Sequence, residues 1–300
     1  MMKRKRYYFF FISVLLLVLV GCSGGKTEKE PKKTEEKTTW EAKENYKLVA
    51  GTLAIAEIMD ALEIDLIGIP TTTKDIPERY KDATEIGNAM MPDMEIVKSL
   101  NPDEIVSVTT LEYDLSKAFS DIGIKAHYMN LQSIANMQKE ILAMGKKYNR
   151  EEQAEKLSAK YDEQIALMAE KVEDVEKPRV LVLLGVPGSY LVATEHSYIG
   201  NLVELAGGTN AIQGQDVEYL ASNTEFLHES NPDIILRLAH GMPDDVVKMF
   251  DKEFKTNDIW KHFDAVKNDK VYDLEESVFG TTANLQVDAA LDDLFNILHP

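Results

Sequence analysis

Two loops share a local form, Ala89-Met90-Met91-Pro92-Asp93 and Ala239-His240-Gly241-Met242-Pro243-Asp244. Each sets a soft or borderline donor just before a proline that suits the first turn of a helix. A thioether on one wall of a cleft and an imidazole on the other fit the two axial positions of a haem iron, since a flat macrocycle leaves only its two faces open. The pair is Met90 or Met91 with His240. His196, His127 and Met242 stay open as alternatives, because the chain holds 12 Met and 6 His and most methionines serve as core filler. Gly51-Thr52-Leu53, at the start of an expected helix, offers amides of the kind that receive carboxylates. Tyr113 and Tyr190 stand in loops that would line the same cleft.

The elements that must position these residues follow from periodicity. Lys47-Leu-Val-Ala50, Ile64–Ile69, Glu104–Val108, Val180–Leu184 and Ile234–Leu238 are apolar or β-branched runs of strand length. Helices alternate with them, one through Met59 and Leu62, others over Ile134–Tyr148 and up to Leu205, where Gly207-Gly208 gives a left-handed stop. Alternation of this kind predicts parallel sheets with ligands at the loops beyond the strands' C-terminal ends.

The longest helix is expected over Asn149–Val175. Asn149 and Glu152 are spaced as a capping pair, and Ala154, Leu157, Tyr161, Ile165, Met168 and Val172 form one apolar stripe. It would be roughly 40 Å long and end at Pro178. Similar sequence lies on both sides. Glu95…Asn101-Pro102-Asp103 and Glu225…Asn231-Pro232-Asp233 repeat at a constant offset, each a short helix, a turn and a buried strand. The chain therefore reads as two Rossmann-like α/β lobes with parallel sheets, joined by a rigid helical strut. The lobes take residues 45–133 and 178–300, and linking helices take 134–177.

The N-terminus is set apart. Lys3, Arg4, Lys5 and Arg6 precede an apolar run too short for a comfortable span of about 20 residues. That run ends in Leu19-Val20-Gly21-Cys22, which resembles a bacterial lipobox. Residues 1–21 read as a lipoprotein signal peptide, Cys22 as the lipidated residue, and 22–44 as a disordered tether of Lys, Glu and Thr. The protein is thus expected at the cell membrane, lipid-anchored on the extracellular side. A single cysteine excludes a disulfide framework. A net charge of −18 argues against nucleic acid and against direct contact with an anionic membrane. The sequence has no P-loop, dinucleotide Gly fingerprint or His-Glu-x-x-His helix. The expectation is a binder that catalyses nothing.

Together these features resemble the helical-strut, periplasmic-binding-protein-like solute-binding lipoproteins, which serve iron-siderophore, vitamin B12 and haem importers. Gly185–Thr194, Ser197–Gly200, Asn231–Arg237, His240–Pro243, Asn257–His262 and Val271–Glu276 are similar to the haem-binding members, as are Glu85-Ile-Gly87 and the Met90-x-Pro92 spacing. In those members a Met of the first lobe and a His of the second bind the iron. The resemblance implies Met90 and His240 as the ligands, with Met91 as substitute. It also implies haem as transported ligand, an ABC permease with its ATPase as partners, and surface haem-carrier proteins as donors. A glutamate on each lobe docks to the permease in this group, and the matching positions are Glu95 and Glu225. A ferric siderophore or cobalamin is the alternative ligand. Anionic chelates call for several cations in the cleft loops, and only Arg237 stands near one.

Overall fold

Leu48–Ala50 (β1) is apolar throughout, Glu104–Val108 (β6) is apolar but for Glu104 and Ser107, and every residue in them is buried. They pair in parallel, Val49 opposite Ile105, at the centre of a sheet ordered β3-β2-β1-β6-β7. The other strands are Gly68–Ile69 (β2), Thr84–Glu85 (β3) and Ala126–Met129 (β7), and all the pairings are parallel. Helices Leu53–Ala61 (α1), Met94–Leu100 (α2) and Glu112–Asp121 (α3) connect them, and Gly87–Asn88 (β4) pairs with Met91–Pro92 (β5) as a separate hairpin. The computed structural model describes residues 46–222, Leu227 and 230–300. Cys22, the tether and Glu225 lie outside the described residues.

The second sheet is built on Arg179–Val186 (β8), which runs parallel to Ile234–Ala239 (β12), itself parallel to Val271–Leu274 (β13). Thr209–Asn210 (β10) also joins β8 in parallel. Ser189–Ala193 (β9) and Tyr219–Ala221 (β11) extend the sheet antiparallel. This sheet is thus mixed, with a parallel heart. The departure from a wholly parallel sheet begins at Pro187-Gly188, where Gly188 at φ 86° turns β8 straight back into β9. Helices Tyr198–Leu205 (α6), Pro243–Thr256 (α7) and Val287–Leu298 (α8) cover this half.

The Asn-Pro-Asp repeat has a shared structural meaning. Asn101 and Asn231 both take positive φ, 46° and 34°, which Asn tolerates better than most residues. The aspartate that follows clamps the start of the neighbouring central strand. Asp103 accepts from the Lys47 amide through Oδ2 at 2.8 Å and donates its own N–H to the Lys47 carbonyl at 2.8 Å. Asp233 makes the same two bonds with Arg179, again at 2.8 Å each.

Two helices, Ile134–Tyr148 (α4) and Glu151–Lys171 (α5), lie between the sheets in the chain. Ser133 caps α4 by accepting from the Asn136 amide at 3.1 Å. Asn149 is not the N-cap of α5. It is the left-handed C-cap of α4 (φ 57°), and Arg150 stands at the α5 N-cap position. The α5 helix of 21 residues is accordingly about 32 Å long rather than 40 Å. Its buried positions are Ala154, Ser158, Tyr161 and Met168, half of the expected stripe plus Ser158, while Leu157, Ile165 and Val172 pack partly buried against the same core. The turn between the helices is tight because position 145 lacks a side chain: a Cβ there would lie 2.4 Å from Ala154 Cβ and 2.9 Å from the Arg150 carbonyl. Gln138 ties the pair further along, its amide nitrogen reaching the Ser158 carbonyl at 3.0 Å and Asp162 at 2.7 Å.

Alternating residues of each strand feed different cores, as a period of two requires. Leu48, Ala50 and Val106 of the first sheet and Val180, Val182 and Leu236 of the second belong to one continuous buried cluster. Ile134, Met137, Ile141, Tyr161 and Met168 of α4 and α5 belong to that same cluster. Val49 and Ile105 face a second core, and Leu181, Leu183 and Ile235 a third. Residues Glu41–Pro300 form one compact unit. Among the described residues no helix is long and apolar enough to cross a membrane.

A buried carboxylate links the first sheet to α4. Glu104 is 4 % exposed and is met by Lys147 Nζ, by the Tyr148 hydroxyl and, at 3.3 Å, by Lys125 Nζ. Burial alone would raise its pKa, but the Lys147 and Tyr148 donors and the nearby lysine charges outweigh that and hold it below its ordinary 4.5.

Two predictions follow from this packing. Gly145→Val should destabilise the protein by about 3 kcal/mol through overpacking of the α4–α5 turn, read as a lower urea midpoint. A depressed carboxyl pKa gives stability that is present above the unfolded value and lost as pH falls through the folded one. Glu104→Gln should therefore cost about 3 kcal/mol near neutrality, and its gap from the parent chain should narrow as the pH drops below 4.5. A gap that stays constant in acid would show that the carboxylate's charge is not what matters.

Candidate functional site

Parallel strands bring their C-terminal loops to one edge, and the residues of interest leave from there. At the switch between β1 and β6 the chain runs Gly51-Thr52-Leu53, with the Gly51 amide donating to the Val106 carbonyl at 2.7 Å. A Cβ on Gly51 would lie 3.0 Å from Ser107 Oγ, so the strands can approach this closely only with glycine there. Thr52 caps α1, its hydroxyl accepting from the Ile55 amide at 3.3 Å. Leu53 and Ala54 then lead the helix with amides that have no preceding carbonyl in the helix to bond.

Beyond β3 the β4–β5 hairpin carries Ala89 and Met90 at its tip, with Met91 on the returning strand. Asn88 fixes the tip, its side-chain oxygen accepting from the Met90 amide at 2.8 Å. The base is closed by Asp93 N–H to the Ile86 carbonyl at 2.7 Å and by Thr71 N–H to the Gly87 carbonyl at 2.9 Å. Pro92 is not at the first turn of α2. It belongs to β5, and Asp93 caps α2 by accepting from the Glu95 and Ile96 amides. Its pairing opposite Gly87, closed by the Asp93 N–H bond to the Ile86 carbonyl, holds Pro92 outside the helix.

In the second half, β12 ends at Ala239 and the His240 amide donates to the Gly185 carbonyl at 2.9 Å. Gly241 and Met242 both take positive φ (62° and 55°) and swing the chain into α7, with Pro243 at its first turn. A methionine in this region is strained by roughly 1 kcal/mol or more. The Asp245 and Val246 amides donate to its carbonyl at 3.0 and 3.1 Å and hold it there. His240 Nδ1 lies 3.2 Å from Glu276 Oε1, just beyond β13, and the Gly241 amide donates to the same oxygen at 3.3 Å. A carboxylate at Nδ1 favours the tautomer with its proton there, which leaves Nε2 as the lone-pair donor. The same Glu276 oxygen meets Lys74 Nζ at 3.5 Å, from the loop after β2. This contact joins the two edges: Thr71 of that loop is bonded to the methionine hairpin, and Lys74 to the carboxylate behind His240.

Seven large apolar side chains stand exposed among the described residues, and four of them are Met90, Met91, Tyr113 and Met242. Met90 and Met91 lie on the hairpin that follows β3, Tyr113 in the first turn of α3 after β6, and Met242 in the turn after β12. The edge thus combines exposed apolar surface, thioethers and an imidazole backed by a carboxylate. Tyr190 is placed differently, packed against Phe250 and Trp260 with its hydroxyl 3.4 Å from Glu253.

The other nominated residues lie elsewhere. His127 sits on β7, 3.3 Å from Glu140 of α4. His196 lines a separate polar pocket of about 640 Å³ with Gln132, Asn136, Glu195, Asp216 and Glu218. Neither Met90 nor His240 lines that pocket, and its several carboxylates make it a poor host for a flat apolar anion. Arg237 is held by Asp273 at 2.7 Å and Asp251 at 3.0 Å, and stacks over Phe250 and Phe254. It therefore offers no charge to a ligand at the edge. Glu95 is exposed in the first turn of α2. Sequence reasoning missed Lys74, Asn88 and Glu276. Asn88 carried a turn signal, and Glu276 follows a strand adjacent in the sheet to the one before His240; nothing local marks Lys74.

The model of the family "Periplasmic binding protein" matches residues 48–278. The chain is 46% identical over 255 residues to the high-affinity heme uptake system protein IsdE of Staphylococcus aureus (strain Newman), covering 85% of this chain and 87% of that one. An ABC transporter substrate-binding protein from Listeria monocytogenes EGD-e is 55% identical with a TM-score of 0.81, over 85% of this chain and 99% of that one. S. aureus IsdE complexed with heme superposes with a TM-score of 0.83 at 46% identity, over 85% of this chain and all of the other.

Proposed function

The chain belongs to the periplasmic binding protein family, and from that premise we propose that it is a haem-binding receptor that captures haem and delivers it to an ABC importer for iron acquisition. The observation that carries this reading is the meeting of a methionine hairpin and a carboxylate-backed histidine at one apolar edge, joined by Lys74 and Glu276. Haem is cargo, and the residues act by binding and orienting it. Met90 is proposed as one axial ligand and His240 Nε2 as the other, with Met91 as the substitute thioether. Glu276 orients the imidazole and Tyr113 adds apolar wall. The leading amides of α1, at Thr52 and Leu53, are suited to propionates.

Glu95 is proposed as one permease-docking residue and Glu225 as its counterpart, the repeat giving each half an equivalent contact for an equivalent subunit. Cys22 is proposed as the lipidated residue that holds the receptor on the extracellular side of the cell membrane, where surface haem carriers supply it. The sequestered Arg237 favours haem over an anionic ferric chelate.

An absorption titration of the chain from Glu41 onward with hemin tests the function. A saturable one-to-one, six-coordinate low-spin spectrum is expected, altered by both Met90→Ala and His240→Ala. Loss with Met91→Ala but not Met90→Ala would move one ligand by a residue, and no saturable spectrum would overturn the haem reading. Glu276→Gln should keep the six-coordinate spectrum and weaken binding by about 10- to 100-fold. Glu95→Ala combined with Glu225→Ala should leave the titration unchanged and abolish haem-dependent growth; normal growth would refute the docking role.

A further inference from the structure

The ten methionines within the described residues divide into distinct classes. Met59, Met129 and Met137 are fully buried, Met144 and Met168 are at most 3 % exposed, and Met94 and Met249 are half-buried. Met90, Met91 and Met242 are 65%, 79% and 61% exposed. Every exposed methionine of this set therefore lies in the two loops proposed to hold the ligand. Thioether sulfur reacts with two-electron oxidants such as hydrogen peroxide wherever the oxidant can reach it. One S–O bond forms as the peroxide O–O bond breaks, sulfur is oxidised to the sulfoxide, and the second peroxide oxygen leaves as water.

We propose that the methionine hairpin is an oxidation site that switches capture off in the empty receptor. Peroxide converts Met90 to its sulfoxide, which is polar and whose sulfur, with one lone pair left and its electron density drawn to oxygen, is a much poorer soft donor to iron. This rests on the reading of Met90 as an axial ligand. Three features suit the hairpin to the role. Asn88 and the Thr71 bond pin its backbone, so the side chain stays at the tip when no ligand is present. Neither Met90 nor Met91 belongs to a buried cluster, so a polar sulfoxide there leaves the fold intact. Met90 is itself 65% exposed, so oxidant reaches its sulfur from solvent. A bound macrocycle covers the sulfur and protects it. Methionine sulfoxide reductases restore the thioether with two electrons and two protons from a dithiol, which becomes a disulfide as the oxygen leaves as water.

The test treats the full empty chain with limiting hydrogen peroxide, maps sulfoxides by peptide mass spectrometry and then titrates with hemin. Met90, Met91 and Met242 are expected to oxidise on the order of tenfold faster than the buried methionines. The six-coordinate spectrum should fall in proportion to Met90 sulfoxide, return after reductase treatment, and fall equally in a chain carrying Met91→Leu and Met242→Leu. The melting temperature should not move. Chain preloaded with redox-inert gallium protoporphyrin should keep Met90 reduced. Equal oxidation of core and hairpin, or an unchanged titration with Met90 fully oxidised, would overturn the proposal. If Met90→Ala also leaves the unoxidised titration unchanged, the ligand assignment itself has failed; if only the sulfoxide is harmless, the switch alone has.

Discussion

One apolar cluster runs from the first sheet through α4 and α5 into the second, and the geometry of the site depends on it. Side chains from Leu48 to Leu294 belong to this cluster. Burying such surface at roughly 25 cal/mol per Å² makes separating the two halves from their helices costly. The helices can approach each other because Gly145 leaves room for Ala154 and the Arg150 carbonyl. The two loop edges are in consequence held in a fixed relation by packing far from the loops themselves.

On that frame the edge needs little else. Parallel strands deliver their loops to one side, and the Asp103 and Asp233 clamps fix where the central strands begin. The two nominated ligands are supported in different ways. The thioether rides on a short hairpin fixed by Asn88, while the imidazole continues a sheet ladder and is backed by Glu276. A stiff donor and an adaptable one suit a ligand that must be both held and released.

Much of this architecture was legible. The bounds expected for the helix Ile134–Tyr148 are those of α4, and the Asn-Pro-Asp repeat marks two related halves. The misreadings have local causes. Asn149 satisfies the signature of an N-cap and of a left-handed C-cap equally, and only the Arg150 N–H bond to the Gly145 carbonyl decides between them. Ile64–Ile69 reads as a strand, but only Gly68–Ile69 pairs; Ile64 and Leu66 are buried as the chain leaves α1. Pro92 looks like a helix starter because its place opposite Gly87 in the hairpin is invisible in one strand's sequence. At the site, residue types nominated Met90 and His240, whereas Lys74 and Glu276 meet only through the tertiary fold.

The Lys74–Glu276 contact sets how the mouth of the receptor breathes. The lysine side chain is 44% exposed and the pair stands 3.5 Å apart, so such a bond is worth at most about 1 kcal/mol. A latch of that strength leaves a sizeable minority of molecules unlatched at any instant, on the order of one in ten. The contact can therefore open and close while the packing of the helices beneath it stays unchanged.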